Sequence, residues 1–166
     1  MPNIPTNQDD VIDSRDIIER IDDLQGQRQA LQDDLESAEA CVHHHHNDLI
    51  PANYLDYPEG RELARCQQEC AEWDSENLEE LQSLEKLQSE AESSPDWIYG
   101  EALISEGYFT KYIEELIDDC YQIPKEMTSG EWPWRHMSID YDAAAEEAKQ
   151  DYMEVDFDGR TYLIRS

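Results

Sequence analysis

Residues 13–48 read DSRDIIERIDDLQGQRQALQDDLESAEACVHHHHND. Ile17, Ile21, Leu24, Arg28, Leu31, Leu35, Ala38 and Val42 recur at alternating steps of four and three. That spacing is a heptad seam on one face of a helix, with a single charged interruption at Arg28. The helix is expected to run to about Asp48 and to end before Pro51, because the residue ahead of a proline is pushed out of helical conformation. Downstream, Pro58 suits the first turn of a second helix, where its missing N–H costs nothing. The second seam is Leu63, Cys66, Cys70, Trp73, Asn77, Leu81, Leu84 and Ala91. Its step from Trp73 to Leu81 is irregular, and Asn77 is a polar seam residue suited to fixing register. Two helices of similar length joined by a short loop fold back as an antiparallel hairpin, so residues 13–92 are expected to form one. A loop centre near Asn53 or Tyr54 would set Cys41 opposite Cys66.

On the N-terminal side, residues 1–8 hold two Pro and two Asn, and residues 1–12 are expected to be a flexible tail. On the C-terminal side the composition changes near Ser93-Ser94-Pro95. Twelve of the 15 aromatic residues lie after residue 96, which supplies a core to residues 97–166. There Pro95 can open a short helix carrying Trp97. Tyr108, Phe109, Tyr112, Ile113, Leu116 and Ile117 form a broad apolar stripe at helical spacing. Pro124 stops that helix. Trp132-Pro133-Trp134 reads as a turn with two aromatic anchors, and Asp140 can cap a helix through Ala143 to Lys149. Met153, Val155 and Phe157 alternate, as do Tyr162 and Ile164, with Asp158-Gly159 between the two runs; this is a strong β-hairpin signal. The fold class expected is mostly α: a long antiparallel coiled-coil hairpin followed by a small α+β domain with a C-terminal β-hairpin.

The chain of 166 residues carries 41 acids against 12 bases, a formal charge of −29. Phosphates and anionic lipids would be repelled, so direct nucleic-acid binding and membrane docking are excluded as functions. The charge is spread almost evenly: −9 over residues 1–48, −10 over 49–96 and −10 over 97–166. There is no signal-peptide pattern and no long apolar run, which points to a soluble cytoplasmic protein. Solubility alone needs a net charge of only about 2–8 in a small domain. The 96 residues ahead of the aromatic region hold 25 acids, net −19. A 35-residue helix is about 52 Å long, a length over which B-DNA carries about 30 phosphates. The hairpin therefore approaches about two-thirds of the charge density of DNA.

Cys41-x3-His45 and Cys66-x3-Cys70 each place two metal-ligating residues on one helix face. Facing each other, Cys41, His45, Cys66 and Cys70 would offer a tetrahedral zinc site. The competing reading is that Cys66 and Cys70 are small seam residues and the histidines of 43–46 sit at a helix end, where they suit the dipole. No cofactor is required by the sequence beyond that candidate zinc. Cys120 reads as a lone core thiol. A calcium loop opening at Glu154 fails, because Arg165 would occupy the position where a bidentate Glu is needed. With six Gly, no phosphate loop, no G-x-S-x-G and no H-E-x-x-H, the sequence points away from an enzyme.

The back of the chain also carries a pattern: Leu103-Ile104, Tyr108-Phe109, Tyr112-Ile113-Glu114-Glu115, Trp132-Pro133, Ile139-Asp140-Tyr141, Ala143-Ala144-Ala145, Asp151-Tyr152, Val155, Phe157-Asp158-Gly159 and Thr161-Tyr162. Over residues 97–166 this resembles the C-terminal region of ArdA-type antirestriction proteins and related acidic proteins of phages and mobile elements. The N-terminal hairpin has no part in the resemblance. The resemblance implies an elongated acidic dimer that imitates B-DNA, with Glu114, Glu115, Asp140, Asp151, Asp156 and Asp158 in the imitating surface. Charge and resemblance together lead to the expectation of a non-enzymatic anti-defence protein, a homodimer, that blocks the basic DNA groove of a host restriction or CRISPR effector. The carboxylates expected to stand in for phosphates are Asp22, Asp23, Asp33, Asp34, Glu36, Glu39, Glu79, Glu80, Glu114, Glu115, Asp118 and Asp119. The alternative is a coiled-coil interaction or assembly adaptor of a phage or mobile element, in which the seam rather than the surface carries function.

Overall fold

A computed structural model describes residues 4–45 and 53–166 of the chain. In order, these form strand β1 (Val11–Asp13), helix α1 (Ser14–His45), helix α2 (Pro58–Ala91), the short helix α3 (Trp97–Gly100) and strand β2 (Ala102–Ser105). Helix α4 (Phe109–Cys120), the one-turn α5 (Lys125–Thr128), α6 (Tyr141–Ala148) and strands β3 (Tyr152–Phe157) and β4 (Arg160–Arg165) follow. The helical hairpin and the small antiparallel sheet agree with the fold class expected from the sequence. The end of the first helix expected near Asp48, and Pro51 beyond it, fall outside the described residues. No helix among the described residues is long and apolar enough to cross a membrane.

The chain divides into two compact units: Glu19–Lys86, and Met1–Ile18 together with Leu87–Ser166. In the first, α1 and α2 pack as an antiparallel pair. Arg20 forks onto Glu80 at 2.7 and 2.9 Å, Trp73 Nε1 donates to Gln27 Oε1 at 3.2 Å, and Cys70 Sγ donates to the Leu31 carbonyl at 3.5 Å. Advancing along α1 thus means retreating along α2 at a nearly constant offset. The seams meet as their spacing requires. Ile21, Leu24, Leu81 and Leu84 are buried at one end, and Ala38, Val42, Leu63 and Cys66 form a cluster with Leu35 at the other. Between them the interface is mixed, with Arg28 paired to Asp74 at 3.2 Å. Asn77 does not cross the interface to set register; its amide donates to the Trp73 carbonyl one turn back in its own helix. The Arg20–Glu80 and Arg28–Asp74 pairs instead reach across the two helices at this register.

The second unit is built on a four-stranded antiparallel sheet of order β1-β2-β4-β3. The alternation of side chains divides it into two faces. On one, Ile104 and Leu163 pack with Phe109 and Ile113 of α4 and Ala145 of α6. On the other, Ile12, Leu103, Val155, Phe157, Tyr162 and Ile164 are all buried. The Asp158-Gly159 turn between β3 and β4 has positive φ at both residues, 48° and 81°, the backbone of a two-residue hairpin loop.

The N-terminal segment departs from the flexible tail expected for residues 1–12. Val11, Ile12 and Asp13 pair with Ile104, Leu103 and Ala102. Arg160 holds the segment from below: it donates to the carbonyls of Asn7 and Asp9 at 3.0 and 3.3 Å and to the Asp10 carboxylate at 2.7 Å. Tyr162 Oη donates to the Asp9 carbonyl at 2.7 Å. A three-residue strand has no periodicity to detect, and its stability comes from these distant partners. Two further expectations are corrected here. Trp132 is 75% exposed, so it is not an anchor, and Cys120 is exposed rather than in the core. Both lie at or beyond the end of α4, where the chain leaves the sheet.

Ser14 ties β1 to α3. It is fully buried, donates to the Trp97 carbonyl at 2.6 Å and accepts from the Glu101 amide at 2.8 Å. Ser14→Ala would strand both backbone groups, so a loss of about 1–3 kcal/mol in urea unfolding is expected. A loss below measurement error would show that water reaches these groups. Next to it Gly100, at φ 103°, leaves room for Arg15; a Cβ there would lie 2.5 Å from Arg15 Nε.

Candidate interaction surface

Each unit carries a separate set of the carboxylates singled out in the sequence. On the hairpin, Asp22, Asp23, Asp33, Asp34, Glu36 and Glu79 are exposed, while Glu39 and Glu80 are half-buried. The helical repeat explains this: seam residues take two positions in seven, and the acids lie among the remaining outward ones. The cross-helix register brings Asp22 and Asp23 of α1 level with Glu79 and Glu80 of α2, so acids from both helices gather there. Glu80 is already paired with Arg20 on two oxygens, which removes it as an independent contact. The segment Glu19–Lys86 holds 18 acids against 5 bases, so such internal pairing leaves most carboxylates uncompensated.

In the sheet-containing unit, Glu114, Glu115, Asp118 and Asp119 are exposed on the side of α4 away from Phe109 and Ile113. Glu115 accepts from Tyr108 Oη at 2.8 Å and lies 3.8 Å from Lys111 Nζ, which sits over the Tyr108 ring. That hydrogen bond raises the Tyr108 pKa above its ordinary value. Tyr141 Oη is 3.4 Å from Asp118. The Tyr141 pKa is raised by desolvation first and then by the charges of Asp118 and Glu114. α4 packs on α6 through Ile113 and Ala145, and Asp142, Glu146 and Glu147 of α6 are exposed, with Glu146 paired to Lys149 at 3.1 Å. Reading the sequence missed these three. Their signal was the Asp140 cap, whose carboxylate accepts from the Ala143 amide at 3.0 Å and starts α6 where its acids face outward.

Of the four residues considered for zinc, the side chains of Cys41, Cys66 and Cys70 are among those described. The observed offset between the helices differs by about six residues, roughly 9 Å, from the one a loop centre at Asn53 or Tyr54 would give. Cys66 therefore packs with Leu35, Ala38 and Leu63, and burial pushes its thiol pKa up. Cys70 is half-buried and bonded to Leu31, while Cys41 is exposed. Seam packing, not loop length, chose the register. His45 ends α1, and its side chain lies outside the described residues. Among the described residues no group of three or more His, Cys, Asp and Glu is placed to hold a metal ion. Cys41 and Cys66 do border one cavity of about 300 Å³, with Asp34, Glu59, Glu62 and Arg65. Arg65 there is engaged by Glu62 and by Glu69, the latter at 2.7 Å.

What the surfaces offer chemically is fixed negative charge: carboxylates mounted on helices whose buried faces hold them in place. No family model, curated protein or solved structure matches this chain.

Proposed function

We propose that this protein is a non-enzymatic decoy for DNA, acting against a host restriction or CRISPR effector by filling its basic DNA-binding channel. The observation that carries the reading is the density of fixed carboxylates: a net −29 on a folded chain, with acids lining two helices of 32 and 34 residues and a separate α4–α6 face. Such a charge destabilises a fold by self-repulsion, and a competing use accounts for its retention. Helices of these lengths span about 48 and 51 Å, a distance over which duplex DNA presents a comparable row of charges. The carboxylates would engage Lys and Arg meant for phosphates. Affinity should then fall steeply as salt rises and duplex DNA should compete. By the resemblance of residues 97–166 to ArdA-type proteins, antirestriction is the first activity to assay.

The test is capture from host lysate on the immobilised chain followed by elution with duplex DNA. Release of a DNA-binding enzyme by the duplex, and inhibition of that enzyme by the free chain, is the expected result. If an excess of the protein leaves restriction enzymes, CRISPR effectors and other host DNA-binding proteins fully active, the reading fails.

A further inference from the structure

Residues 121–137 differ from the rest of the chain in charge. They hold two acids, Glu126 and Glu131, against two bases, Lys125 and Arg135, and are formally neutral in a chain of net −29. They also display apolar surface: Tyr121 is 67%, Trp132 75% and Met137 55% exposed. An exposed Trp is unusual in a chain that buries Trp73 and Trp97. The segment is an organised loop. The Met127 amide donates to the Pro124 carbonyl at 2.9 Å, the Arg135 amide to Glu131 at 2.8 Å, and the Met137 amide to Trp134 at 2.9 Å. Arg135 Nε donates to His136 at 3.1 Å, so the local guanidinium has a partner within the loop. The segment leaves α4 directly after Asp118 and Asp119 and rejoins the same acidic face at Tyr141, whose hydroxyl meets Asp118. Both ends of the aromatic loop thus lie within four residues of that carboxylate surface along the chain.

Aromatic faces joined to carboxylates match one protein side chain better than any other. The guanidinium of arginine is planar and weakly hydrated, stacks on Trp and Tyr, and pairs with a carboxylate through two N–H groups; the compact ammonium of lysine is strongly hydrated and does neither as well. We infer that residues 121–137 are an aromatic contact for an arginine-bearing surface of the basic partner, with Trp132 stacking on guanidinium and the α4–α6 carboxylates pairing beside it. This rests on the proposed function and refines its partner from basic to arginine-rich. Charge complementarity selects this occupant, because a cationic group is drawn to a chain of net −29.

Octa-arginine and octa-lysine peptides titrated into the full chain at several salt concentrations test the inference. The arginine peptide should bind about fivefold tighter or more, with a change in tryptophan fluorescence. Trp132→Ala, at an exposed position, should leave helical circular dichroism unchanged and cut the arginine preference by about half or more, the remainder coming from bidentate carboxylate pairing; Trp132→Phe should retain more of it. The salt dependence should survive Trp132→Ala, since no charge is removed. Equal binding of the two peptides to the wild-type chain, or an arginine preference undiminished in Trp132→Ala, overturns the inference and leaves the decoy reading standing. Self-association that depends on Trp132, seen by sedimentation without an arginine preference, also overturns it. An arginine preference carried by Trp132 in a chain that inhibits no DNA-binding enzyme would instead remove the decoy reading alone.

Discussion

Phe109→Ala is expected to destabilise the sheet-containing unit by about 3–5 kcal/mol, the usual range for removing a buried aromatic ring. Phe109 is fully buried at the start of α4. Its ring meets Tyr152 edge-on at 4.9 Å between centroids and stacks on Tyr112 at 6.3 Å. The same ring fills the space between Ile104 and Leu163 of the sheet and Ile113 and Ala145 of the helices. Deleting it opens a cavity where sheet, α4 and α6 all converge, and no neighbour can close it without moving a whole element. Small domains have only about 5–15 kcal/mol in total, and this one also carries strong self-repulsion. Urea unfolding followed by near-ultraviolet circular dichroism should show most of the loss. Phe109→Leu, which keeps more volume, should cost clearly less. A cost below about 1 kcal/mol for Phe109→Ala would mean that α4 is not held by this core.

The second large effect concerns binding. Neutralising α4 with Glu114→Gln, Glu115→Gln, Asp118→Asn and Asp119→Asn should weaken association with the captured DNA-binding enzyme by about 10–100-fold and make it less sensitive to salt. Stability should move the other way or stay level. Gln and Asn still accept from Tyr108 and Tyr141, while four mutually repelling charges are gone. Opposite signs for folding and binding are what distinguish a functional charge from a structural one. Unchanged binding in the quadruple variant, measured by calorimetry at two salt concentrations, would move the contact to the hairpin set, with Asp22→Asn, Asp23→Asn and Glu79→Gln as the next variants. Glu80 is left out because its removal would free Arg20 and disturb the helix pair.

Much of this architecture can be read from spacing. The heptad steps from Ile17 to Val42 and from Leu63 to Ala91 name most of the side chains that are buried between and beside the long helices. The Asp158-Gly159 pair predicts its hairpin because few residues accept positive φ. The cap at Asp140 predicts α6. Each of these signals is local: a period, a turn or a cap that a few neighbouring residues enforce. Apart from Asn77, which bonds one turn back in its own helix, the misses are long-range. β1 and β2 are three and four residues long and exist because each pairs with chain more than 50 residues away. The offset between the helices was misjudged because loop length constrains it weakly, while the meeting of Leu35 with Cys66 and Arg20 with Glu80 constrains it strongly.

By itself, then, the sequence determined the secondary elements with strong periodicity, the two-part composition and the net charge of −29. Periodicity and charge are properties that survive without coordinates, since helix geometry and Coulomb repulsion act over short or additive distances. Only the tertiary structure decided that the N-terminal segment completes the sheet, that Cys66 packs with Leu35 and Ala38, and that α6 packs on α4. It also decided that Trp132 is left outside the core. These outcomes depend on which distant surfaces pack best, and that choice is made by complementarity of whole faces rather than by any run of residues.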